Sequence, residues 1–242
     1  MKITLILCNT ATFLLLILVG AYSGFFTKSY YKLINEPDPS IKCVYSLKHF
    51  FFHFKNEIQE PDIIMFGNSL VKQGDWNTLL SNDKVINRGI AGDRVSCMCE
   101  RLHYLEGKRA KIWFIEGGIN EIPISNPNSI LDSYKRVVDF VKNEHAIPVL
   151  NLILYVSPKY NERYAYDYKT INAKVSELNK LLVKYATENH LDYIDLNTIT
   201  ANKENVMKDE YTTDGIHLNG KAYSHWAVLI NKTLIKYAMV VS

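Results

Sequence analysis

From residue 61 onward, short apolar runs recur along the chain, each bounded by turn-forming residues. Asp62–Phe66, Lys84–Asn87, Lys111–Glu116, Ile147–Leu154 and Asp192–Leu196 read as buried strands, since near-continuous apolar runs of this length suit a sheet covered on both faces. Between and after them the apolar positions change to a helical spacing. Ile130, Tyr134, Val137, Val138 and Val141 share one helix face, and Ile171, Val175, Leu178, Leu182 and Tyr185 share another. Ala222, Trp226, Leu229, Ile230, Thr233 and Tyr237 form a third such stripe that closes the chain. Strands joined by crossovers this long predict an α/β fold, a parallel sheet between two helical layers. In such sheets ligands bind beyond the carboxyl ends of the strands, so the loops leaving those ends are where chemistry is expected.

The N-terminal pattern is different. No charged residue occurs from Ile3 to Thr27, and Phe13 to Val19 is unbroken Phe, Leu, Ile and Val. About 24 residues rising roughly 1.5 Å each would reach about 36 Å, against a hydrocarbon core of about 30 Å. Two readings compete for this segment. Ala21-Tyr22-Ser23 offers a signal-peptidase site, whereas the full spanning length, followed by Lys28, Tyr30, Tyr31 and Lys32, favours a retained signal anchor. The expected organisation is a signal anchor or signal peptide over 1–27, a tether with a short helix over 28–60, broken by Glu36-Pro37-Asp38-Pro39, and a folded body over 61–242. The body is expected outside the cytoplasm, either tethered to the membrane or secreted after cleavage.

Composition narrows the classes. A chain of 242 residues that is 48% hydrophobic and 22% charged has the balance of one folded domain, and a net charge of +3 without a basic face argues against nucleic acid as partner. Cys43, Cys97 and Cys99 follow the apolar segment as an odd set, so at most one intramolecular bridge can form among them; they read as structural thiols. Cys97 and Cys99, two apart in a predicted helix, point to different faces and make a poor metal site. No cofactor is expected.

The chemistry-bearing residues sit on the strand-leaving loops. Ser69, in Gly67-Asn68-Ser69-Leu70, follows the first strand and is a candidate nucleophile, although Gly-Asn-Ser is also an ordinary turn. Gly92, after the second strand, could present a backbone N–H, and Asn120, after the third, a side-chain amide; both are donors suited to a developing oxyanion, and both are equally at home as turn or capping residues. Near the C-terminus Asp214-Gly215-Ile216-His217 places a carboxylate three residues before a histidine, the partner a histidine base needs to fix its tautomer. Among the seven histidines only His103 has a comparable acid, Glu100, and the two read as a surface pair on a helix. Tyr155, Tyr160 and Tyr164 lie in a tyrosine-rich segment leaving the fourth strand and are candidates for contacting substrate, by stacking on a sugar or lining a short acyl pocket.

Taken together, the four blocks Gly67-Asn68-Ser69-Leu70, Gly89-Ile90-Ala91-Gly92-Asp93, Gly118-Ile119-Asn120-Glu121 and Asp214-Gly215-Ile216-His217 resemble those of the SGNH hydrolases, also called GDSL esterases and lipases. The likeness runs over residues 61 to 238 and is similar in flavour to the branch of platelet-activating-factor acetylhydrolases and lysophospholipases. It implies a flavodoxin-like three-layer α/β/α sandwich with a five-stranded parallel sheet and a serine esterase mechanism without metal. Ser69, Asp214 and His217 would be catalytic, and Ser69, Gly92 and Asn120 would form the oxyanion hole. Asn68 stands where Asp is common before the serine, and Glu121 where Asp is common after the asparagine. The expected substrate is a small-molecule, glycan or lipid ester: foremost a short acyl or acetyl ester on a glycan, with a lysophospholipid or longer acyl ester, acyl transfer to an alcohol, and a silent binding module as alternatives.

Overall fold

The computed structural model describes Cys43 and residues 60–239. The predicted membrane segment and nearly all of the tether lie outside the described residues. Among the described residues no helix is long and apolar enough to cross a membrane.

Five strands form one parallel sheet: β1 (Ile63–Gly67), β2 (Val85–Gly89), β3 (Ile112–Ile115), β4 (Ile147–Asn151) and β5 (Asp192–Ile194), in the order β2-β1-β3-β4-β5. This is the doubly wound order whose direction reverses beside β1, and the crevice at that reversal is the expected ligand position. The helices are α1 (Ser69–Lys72), α2 (Trp76–Leu80), α3 (Val95–Glu100), α4 (Pro127–Asn143), α5 (Tyr168–Glu188), α6 (Asn197–Thr200) and α7 (Gly220–Lys236).

Strand alternation divides the core into two. Ile64 and Phe66 of β1 join Val95 and Met98 of α3, Tyr134 of α4 and Leu178 of α5 on one face. Ile63 and Met65 face the other way, onto Trp76 of α2 and Trp226 of α7. Every residue of β1 is buried, which is what a central strand covered on both sides requires. The three layers and the five-stranded parallel sheet match the expectation from apolar patterning.

Strand ends shift by one or two residues throughout, and the largest difference is at the fourth strand. The apolar run predicted a fourth strand to Leu154, but β4 ends at Asn151. Beyond it, Leu152 N–H still donates to Ile194 O, and then the Asn179 side chain takes over both backbone groups of Ile153. Leu152, Ile153 and Leu154 are buried all the same, so hydrophobicity continued where sheet pairing stopped.

Candidate active site

Ser69 occupies the first position of α1, directly beyond the end of β1. Asn68 caps that helix, its Oδ1 accepting the Leu70 N–H at 2.8 Å, which fixes the turn that lifts Ser69 to the sheet edge. From the other end of the chain, the loop before α7 brings in Asp214 and His217. The Asp214 carboxylate works with both oxygens. Oδ1 accepts the backbone N–H groups of His217 (2.8 Å) and Ile216 (3.2 Å), which folds the loop, and Oδ2 lies 2.8 Å from His217 Nδ1, which orients the ring. His217 Nε2 then lies 3.1 Å from Ser69 Oγ. A carboxylate can only accept, so Nδ1 carries the proton and Nε2 is left as the acceptor for the Ser69 hydroxyl. Burial works to raise the Asp214 pKa, but the hydrogen bonds from the His217 ring and from the His217 and Ile216 backbone outweigh it and hold the carboxyl below its ordinary value.

The oxyanion candidates lie on loops that leave the same edge of the sheet. Gly92 is exposed, with φ of 78°, and its loop is tied to Asn120, whose Nδ2 donates to Asp93 O at 2.8 Å. Among the described residues neither the Ser69 nor the Gly92 backbone N–H is committed to another acceptor. The helix after this loop starts at Val95, two residues beyond Gly92-Asp93.

Both departures from the common motif have structural partners. Glu121 accepts the Val95 N–H (2.7 Å) and the Ser96 hydroxyl (2.6 Å), so it caps α3 from the loop that carries Asn120. Asn68 donates from Nδ2 to Glu116 Oε1 at 3.2 Å, and Glu116 is 1% exposed at the end of β3.

Three further side chains were not singled out from sequence. Arg101 donates from Nε to Asp93 Oδ2 at 2.8 Å and from Nη2 to Gly67 O at 3.0 Å, so it joins the serine and Gly92 loops from beneath. Its guanidinium also lies 4.2 Å from the Phe66 ring centroid. Burial pushes the Asp93 carboxyl up and the Arg101 guanidinium down, each against the pull of its partner. Glu116 is the second, and Arg163, whose Nη1 donates to Asp214 Oδ2 at 2.5 Å, is the third. Nothing in the spacing of these residues marks them, because each acts across sequence separations that only the fold closes.

The tyrosines divide. Tyr160 is buried and stacks on the half-exposed Tyr164, with ring centroids 4.5 Å apart, against the Gly215 loop. Tyr155 turns away: its hydroxyl pairs with Ser176 of α5 at 3.1 Å, and it lines an open groove of about 1140 Å³ whose walls include neither Ser69, Asp214 nor His217. The expected Glu100–His103 pair does not form among the described residues; His103 lies beyond the end of α3, and its ring packs on Tyr104 at 3.8 Å. Cys43 and Cys97, expected as thiols, are each in a disulfide, whereas Cys99 is a free buried thiol whose pKa burial pushes up to about 11.

A family model described as the GDSL-like Lipase/Acylhydrolase family matches residues 65–225. No curated protein matches the chain in sequence. Among solved structures, a GDSL-like lipase from Bacteroides thetaiotaomicron superposes with a TM-score of 0.67 at 15% identity, covering 79% of this chain and 97% of that one. A Streptococcus pneumonia protein described as a candidate platelet activating factor gives 0.66 at 24%, covering 79% and 89%. An acetyl xylan esterase gives 0.57 at 20%, covering 71% and 98%. At these identities the likeness is one of fold.

Proposed function

Because this chain belongs to the GDSL-like lipase/acylhydrolase family, we propose that it hydrolyses a carboxylic ester through an acyl-enzyme formed on Ser69. The observation that carries this reading is the continuous contact from Asp214 Oδ2 to His217 Nδ1 (2.8 Å) and from His217 Nε2 to Ser69 Oγ (3.1 Å). In the proposed reaction Ser69 Oγ attacks the ester carbonyl while its proton passes to His217 Nε2, and Asp214 stabilises the imidazolium. The N–H groups of Ser69 and Gly92 and the Asn120 amide receive the developing oxyanion. The tetrahedral intermediate collapses, the ester C–O bond breaks, and His217 returns the proton to the departing alcohol. Water then attacks the Ser69 ester with His217 as base, releasing the carboxylic acid and restoring the hydroxyl.

For substrate, the reading is a short acyl group, foremost acetyl, on a glycan or other cell-envelope molecule. Support comes from the Tyr160–Tyr164 stack beside the Asp214 loop, with Tyr164 and Tyr166 left partly exposed to meet a sugar face. The body is proposed to work outside the cytoplasm, tethered by its N-terminal apolar segment. The disulfide state of Cys97 suits an oxidising compartment.

Labelling by a fluorophosphonate, compared between the wild type and Ser69→Ala, tests the nucleophile. Label on the wild type alone supports it, and equal label on both removes Ser69. A panel of 4-nitrophenyl esters from acetyl to palmitoyl then tests acyl length, and a maximum at the long esters would overturn the short-acyl reading.

A further inference from the structure

Beside the turn that carries the proposed nucleophile lies a carboxyl that the proposed reaction does not use. Glu116 follows β3, its backbone N–H donates to Phe66 O at 2.9 Å, and this places it beside the Gly67-Asn68 turn in the sheet. Its side chain is buried, and its Oε1 accepts a hydrogen bond from the Asn68 side-chain amide at 3.2 Å. Among the described residues nothing bonds its other oxygen, Oε2. Asn68 in turn accepts the Leu70 N–H and so shapes the helix start on which Ser69 stands.

We infer that Glu116 is a positioning residue for ester hydrolysis: through Asn68, its buried carboxyl holds the turn that presents Ser69 Oγ to His217. The inference rests on the reading of Ser69 as nucleophile. Its physical basis is that the Asn68 side chain is held at both ends, its amide nitrogen by the buried Glu116 carboxyl and its oxygen by the Leu70 N–H, so the carboxyl fixes the side chain that caps the turn. A rotation of Asn68 would move the Ser69 N–H and Oγ together, and misplacement on the scale of 1 Å is enough to cost about a hundredfold in rate. Burial also pushes the Glu116 pKa up to about 8, so at neutral pH the group supplies hydrogen bonding without a negative charge that would oppose an oxyanion.

The experiment uses the full chain, 4-nitrophenyl acetate as substrate and a fluorophosphonate as label, with thermal unfolding as the check on folding. Glu116→Gln keeps an acceptor for Asn68 and is expected to retain kcat within about threefold. Glu116→Met removes it and is expected to lower kcat by about 10- to 100-fold, with KM changed less than about twofold and the labelling rate of Ser69 falling in parallel. Should Glu116→Met not fold, Asn68→Ser preserves the helix cap but removes the amide donor, and the same loss is expected, with no further effect of Glu116→Gln in that background. A folded Glu116→Met or Asn68→Ser protein with wild-type kcat and labelling rate overturns the inference alone. A wild type that takes no label at Ser69 overturns the nucleophile reading, and the inference with it.

Discussion

The side-chain amide of Asn120 donates to the backbone carbonyl of Asp93 at 2.8 Å, so the loop bearing one proposed oxyanion donor, Gly92, also holds the other. Two donors that must act at one point are thus set by a single contact between the second and third motif blocks. An amide held in this way needs little rearrangement as charge develops, which is the condition under which such donors are most effective.

Asn120→Ala is therefore expected to lower kcat on 4-nitrophenyl acetate by about 10² to 10³, roughly 3 to 4 kcal/mol, with little change in melting temperature because the residue is only half-buried. Steady-state kinetics together with thermal unfolding check this. An unchanged rate would remove Asn120 from the site.

Gly215→Ala should act through packing. The residue has φ of 93°, and a Cβ there would meet Tyr160 N at 2.3 Å, a backbone atom that cannot swing aside as a side chain could. The substitution is expected to push the Pro158–Glu162 turn off the Asp214 loop, costing about 1 to 3 kcal/mol of stability and a larger share of activity. Urea unfolding and esterase assays on one preparation separate the two losses.

The Arg101–Asp93 pair, 4% and 2% exposed, is expected to be costly to break from one side. Arg101→Met leaves the Asp93 carboxylate buried without its partner, and a loss of about 3 to 5 kcal/mol is expected in denaturant unfolding. Because Arg101 also holds Gly67 O at 3.0 Å, kcat should fall as well. A variant of wild-type stability would show that the pair does not hold these loops.

What the chain reveals before folding depends on whether a signal is local. Ser69, Asp214 and His217 are marked by residue type beside a predicted strand or helix, and the strands by runs of apolar residues, so their placement at one sheet edge follows from parallel topology. Glu116, by contrast, is one charged letter at the end of an apolar run. Nothing in its neighbours says that the side chain turns inward to Asn68, 48 residues earlier. Tyr155 shows the converse, since its segment leaves the sheet at the correct edge while its side chain rotates towards Ser176. Backbone topology was legible because periodicity encodes it; side-chain direction was not, because tertiary contacts decide it.

The burial of Glu116 also has a consequence for stability against pH. Its carboxyl titrates at about 8 in the fold, against 4.5 for an unburied glutamate, with burial the main cause and the Asn68 hydrogen bonds opposing it. Between those values the folded state holds a proton that the unfolded state has released. Stability from this group is therefore fully present below about pH 4.5 and is lost progressively as pH rises towards 8, by on the order of a few kcal/mol. Glu116→Gln removes the titration and should flatten that part of the profile, becoming more stable than the wild type at the alkaline end. Two phenols that the carboxyl's charge acts on, Tyr134 of α4 and Tyr223 of α7, are both pushed above their ordinary value, chiefly by burial, and stay neutral across this range, so they do not mask the effect. Urea unfolding of both proteins at pH 5, 7 and 9 provides the measurement, and parallel stability curves would mean that Glu116 is not held protonated.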